Sequence, residues 1–141
     1  MPRSLKYQPV APAYGNAGQF ACKFAWNSGA GMNTIVDLVA LPAYTSITAG
    51  GVHILTAFND SGTDTIDVGF RGGSATDDPD AYATLLTASA VGMIVFDELA
   101  TTTNIINTKP IIVTARYNAQ NSNATAGVAL LWFNYATVNL A

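Results

Sequence analysis

His53 is the single histidine of this chain and Cys22 its single cysteine, so a serine or cysteine nucleophile could recruit a histidine base at one position only. His53 sits inside the run Gly51 to Phe58 with no motif around it, and reads as a packed or surface histidine. Glycosidase chemistry asks for two carboxylates about 5 to 10 Å apart across a cleft. Aspartates are available, but nothing in their spacing marks a pair. Gly15-Asn16-Ala17-Gly18 and Arg71-Gly72-Gly73-Ser74 lack the spacing and the lysine of a phosphate-cradling loop and read as turns. Asp77, Asp78 and Asp80 bring hard oxygen ligands together on one loop, which Ca²⁺ prefers, yet their spacing is not that of an EF-hand. Turn and cap chemistry, in which each carboxylate accepts a nearby backbone N–H, is the reading adopted. A lone cysteine makes neither an internal disulfide nor a thiolate cage. The expectation is a protein without catalytic residues, metal or cofactor.

The elements that would position any site are strands. Surface helices are normally filled with Glu, Lys, Gln and Arg, which lose little rotamer freedom there. Here Glu occurs once, at Glu98, and Lys and Arg together number 6. Thr, Val, Ile and aromatic residues dominate instead, with Gly and Asn for turns. A chain of 141 residues fits one domain. Its 50% hydrophobic and 11% charged residues lie on the apolar side of the soluble balance, where about a quarter are charged. Part of the surface is therefore expected to be covered. The net charge is −3, with no basic cluster beyond Arg3 and Lys6, which argues against nucleic acid. No 18 apolar residues follow one another and no apolar run backs the basic N-terminus, so neither a membrane span nor a signal peptide is expected. The sequons at Asn59 and Asn123 then carry little meaning.

Residues 1–19 hold Pro2, Pro9 and Pro12 and read as an extended arm, because proline fixes φ and stretches its predecessor. Its apolar side chains include Leu5, Tyr7, Val10 and Tyr14. Residues 20–141 form the sandwich domain. Phe20, Cys22, Phe24 and Trp26 alternate with Ala21, Lys23 and Ala25, a period of two. Strands are expected at Thr34 to Leu41, ended by Pro42, and at Ile47 to Phe58, with a bulge or bend at Gly50-Gly51. Asn59 to Thr63 reads as a hairpin loop into Thr65 to Phe70. Residues 71–81 form a polar excursion, and Tyr82 to Ala90 fits a short helix or a short strand equally. Gly92 to Asp97, Pro110 to Tyr117 and Gly127 to Leu140 complete seven or eight strands. This spacing predicts an all-β, antiparallel, jelly-roll-like β-sandwich with an extended N-terminal arm.

Along the last strand Val128, Leu130 and Trp132 point one way and Leu131, Phe133 and Tyr135 the other. A sandwich buries only one face of each sheet, so the second face needs a neighbour. Arg3, Leu5, Lys6, Tyr7 and Tyr14 of the arm, with Trp132, Phe133 and Tyr135, are the candidate partner-binding residues.

The segments Thr34 to Ala43, Gly51 to Asn59, Thr63 to Gly69 and Asp78 to Tyr82 resemble the small capsid decoration, or cement, proteins of tailed bacteriophages. The resemblance covers roughly residues 33–90 and the C-terminal apolar strand, while the proline-rich N-terminus and the Asn118 to Asn123 loop depart from it. It implies a jelly-roll-like sandwich, commonly a homotrimer, that binds major capsid protein on the outer surface of the virion and does no chemistry. Such a protein would be made in the host cytoplasm. Two rivals stand beside it: a receptor- or glycan-binding jelly-roll module of a phage fibre or head appendage, whose exposed Trp or Tyr would stack on sugars, and a small β-sandwich enzyme with an unrecognised site.

Overall fold

The structure, a computed structural model, describes residues 16–100 and 106–137. Among these, eight strands run in chain order: β1 Asn16–Ala25, β2 Ile35–Leu41, β3 Thr45–Thr56, β4 Asp64–Gly72, β5 Asp78–Thr87, β6 Gly92–Val95, β7 Ile111–Ala119 and β8 Val128–Thr137. They form two four-stranded sheets of order β1-β8-β3-β6 and β2-β7-β4-β5. Every pairing is antiparallel. The pairs β4/β5, β3/β6, β2/β7 and β1/β8 are nested, as in one long folded ribbon. Wrapping that ribbon on itself creates the two remaining pairings, β3/β8 and β4/β7, and sends successive pairs to opposite sheets. This is the jelly roll expected from the strand spacing.

Period two holds where both neighbours are regular. Along β7, Ile111, Val113, Ala115 and Tyr117 are buried, and along β8, Ala129, Leu131 and Phe133 are. With Phe24, Val52, Ile54, Ile66, Val68, Phe70 and Tyr82 they fill the space between the sheets.

Several expectations change. Residues 59–63 do not close a hairpin, because β3 and β4 lie in different sheets and the segment crosses between them. Residues 82–87 are strand, belonging to β5, since pairing with β4 supplies their backbone partners. The strand begins at Asp78, inside the expected polar excursion. The Gly50-Gly51 pair is not itself the bulge; register shifts flank it between Ile47 and Ala49 and between Ile54 and Thr56. Both glycines make room for aromatic rings. A Cβ on Gly50 would stand 2.3 Å from Phe96 Cε2, and one on Gly51 3.1 Å from Trp132 Nε1. β1 starts at Asn16, so residues 16–19, assigned above to the arm, are strand.

The loop Asn118 to Asn123 fastens one end of the sandwich. Asp60 accepts backbone N–H groups from Gly62 at 2.8 Å and from Asn121 and Asn123 at 2.9 Å. Asn123 Oδ1 in turn accepts the Ser61 N–H, and Asn59 Oδ1 accepts those of Thr125 and Ala126. Burial alone would push the Asp60 carboxyl up, but the N–H donors of Asn123, Asn121 and Gly62 outweigh it and hold it below the ordinary carboxylate range. A depressed folded pKa stabilises the fold fully above the unfolded value of about 4 and is lost as pH falls through the folded one. Asp60→Asn is therefore expected to flatten the acid limb of melting temperature against pH below about pH 4. Parallel acid limbs for variant and parent would refute this role.

Candidate functional site

The outer faces of the two sheets differ in chemistry. On the β2-β7-β4-β5 sheet, Arg71 donates to both carboxylate oxygens of Asp37, at 2.8 and 2.6 Å. Arg116 Nη2 meets Asp67 at 2.7 Å, and Asn118 donates to Asp67 and to Thr65. Ile35 and Leu85 are the large apolar residues exposed there. The face solvates itself with charge and hydroxyls.

The β1-β8-β3-β6 sheet carries apolar side chains outside as well as inside. Its register aligns Lys23, Leu130, His53 and Met93 in one cross-strand row and Ala21, Trp132, Gly51 and Val95 in the next. Exposure is 39% for Leu130, 56% for Met93 and 65% for Val95, with Leu55 at 51% and Val91, just before β6, at 68%. Five of the eight exposed large hydrophobics among the described residues thus gather on one sheet face and its β6 margin. Scattered apolar residues are ordinary on a soluble surface, whereas a contiguous patch marks a contact surface. Trp132 is half-buried over Gly51, and its Nε1 is buried without a hydrogen-bond partner. Lys23 and His53 are the ionisable side chains in these two rows.

The sequence-derived candidates separate accordingly. Trp132 lies on the outer apolar face. Phe133 does not: it is 0% exposed, its ring 5.1 Å from that of Phe20, and alternation along β8 turns it toward the opposite sheet. Its assignment as a partner-binding residue is corrected to core. Tyr135 is half-buried beside Phe133 and covers Gly18. Arg3, Leu5, Lys6, Tyr7 and Tyr14 lie outside the described residues. Sequence reading missed Leu55, Val91, Met93 and Val95. The signal was present in Val91 to Phe96, where both alternating sets are apolar and no polar side is left for water.

The other singled-out residues fit local roles. Asp77 accepts the Gly72 N–H at 2.9 Å and Asp78 that of Asp80 at 3.4 Å, as turn chemistry requires. Burial, with Asp80 close by, raises the Asp78 carboxyl above its usual range. Cys22 is half-buried against the core, and burial pushes its thiol up. His53 is half-buried on the outer face between Leu130 and Met93.

No family model matches this sequence, and no curated protein does. Solved structures do match. A chain of "Capsid of Ralstonia phage GP4" superposes with a TM-score of 0.64 at 18% identity, covering 97% of this chain and 94% of that one. A chain of "Acidic stable capsid structure of Helicobacter pylori bacteriophage KHP30" gives 0.62 at 17%, covering 89% and 91%. A chain of "Cyanophage Pam1 capsid asymmetric unit" gives 0.61 at 15%, covering 97% and 99%. At such identities the likeness is one of fold. It extends over nearly the whole of each chain, and all three come from phage capsids.

Proposed function

We propose that this chain is a structural virion protein: a decoration, or cement, protein that sits on the outer surface of a phage head, bridges major capsid subunits and assembles as a homotrimer. The observation that carries the reading is near whole-length likeness to chains of three phage capsids, covering at least 89% of either chain in each case. The apolar outer sheet face supports it, since a protein whose role is contact needs surface that water does not satisfy. The glycan-binding alternative asks for exposed aromatic platforms, and among the described residues each Trp and Tyr is buried or half-buried.

Purified heads should contain the protein at a fixed stoichiometry to the major capsid protein, and heads assembled without it should rupture at lower temperature and regain resistance when it is added back. Recovery only with tails or fibres, or absence from intact particles, would rule the cement role out.

A further inference from the structure

We propose that the open edge of β6 receives residues 3–8 of a second copy of this chain as an added strand. Among the described residues the four edge strands are β1, β6, β2 and β5, and edges are normally guarded by charge or bulges because their free N–H and C=O groups recruit other strands. β1 carries Lys23 on its outer side. β2 has Asp37 and a register shift beside it. β5 has two register shifts, Asp78 and Asp80, and Leu85 at a φ of 51°. β6 has none of these devices. Its register with β3 is unbroken, and Met93 and Val95, with Val91 just before it, are the exposed side chains there. The Phe96 N–H donates to Gly50 O at 3.0 Å, which sets the phase of the ladder. Even-numbered residues bond to β3, and Met93 and Val95 aim their backbone groups at the open side.

The occupant is chosen by what lies upstream of Asn16. Pro2 and Pro9 bracket six residues that can all donate backbone N–H groups, Arg3 to Gln8. Extended, this short stretch puts Leu5 and Tyr7 on one side and Ser4, Lys6 and Gln8 on the other. Added antiparallel with Leu5 opposite Val95, it sets Tyr7 opposite Met93 and Arg3 opposite Asp97, continuing the apolar rows and pairing opposite charges at one end.

Its own arm is too short for that place. Met93 shares a row with Lys23, seven residues along β1 from Asn16, about 24 Å, and the new strand lies four spacings from β1, about 19 Å. The straight-line distance is about 31 Å, which nine fully extended steps from Tyr7 to Asn16 only just span, and a strand antiparallel to β6 runs parallel to β1, so chain leaving Tyr7 heads away from Asn16 and would need further residues to turn back. A neighbouring copy has no such limit.

The exchange is a property of the free protein and is tested without particles, so its failure leaves the capsid reading standing. In a Cys22→Ala background, Tyr7→Cys protein is mixed with Met93→Cys protein at micromolar concentration under mild oxidation. Met93 is exposed, so its replacement leaves the core untouched. The mixture should form a disulfide-linked dimer about a hundredfold faster than Tyr7→Cys mixed with a Lys23→Cys control, because docking raises the effective concentration of the two thiols to millimolar. Adding a peptide of residues 1–10 in excess should suppress it. Equal rates with the two partners overturn the proposal. So does a Tyr7→Cys/Met93→Cys double variant that closes its disulfide within one chain.

Discussion

Asp67→Ala is expected to lower the unfolding free energy by about 3 kcal/mol, a large part of the 5 to 15 kcal/mol of an ordinary domain. Asp67 sits where β4 and β5 slip register, and its side chain is 2% exposed. It accepts the Leu85 N–H at 2.7 Å, Arg116 Nη2 at 2.7 Å and Asn118 Nδ2 at 3.0 Å. Alanine leaves the Leu85 N–H and Arg116 Nη2 without an acceptor and Asn118 with Thr65 alone, and the Arg116 Nε already lacks one. Arg116 is 31% exposed and water can recover part of its loss, which keeps the figure below that of a fully buried broken pair. Asp67→Asn should fall between, since its amide oxygen still caps Leu85 while the ionic contact is gone. Urea unfolding measures both; a loss for the alanine variant below about 1 kcal/mol would show that the bulge does not depend on this carboxylate.

Phe133 and Leu130 are expected to respond in opposite ways, although they stand three residues apart on one strand. Phe133→Ala removes a fully buried ring from between the sheets and should cost about 3 to 5 kcal/mol of stability. Leu130→Asp places a charge on a side chain already 39% exposed. It should leave cooperative melting within a few degrees of the parent, yet abolish self-association or attachment to heads, because a carboxylate, even with Lys23 beside it in the row, would have to be desolvated in an apolar contact. Native mass measurement and head sedimentation read the second effect, thermal unfolding the first. If Leu130→Asp assembles and attaches unchanged, the outer face of the β1-β8-β3-β6 sheet is not a contact surface.

The all-β class was legible because it rests on local chemistry: branched and aromatic residues at period two, turn residues between runs, and too few straight-chain polar residues for a surface helix. The alternation of β1 and β7 was readable for the same reason. That β8 carries large apolar groups on both sides was also visible, and with it the need for a neighbour. Which of its two sets faces that neighbour was not, because period two assigns side chains to faces without saying which face is inside. Only the packing of the second sheet against Leu131 and Phe133 decided it. The nested pairing that brings Asp60 to the Asn121 and Asn123 amides joins residues about sixty positions apart, beyond the reach of any local pattern. Composition determined that this chain builds sheets and leaves apolar surface over; the wrapping of the ribbon determined that this surface gathers on one sheet, because sheet order places β6 and β8 on either side of β3 and gives their outward side chains one common face.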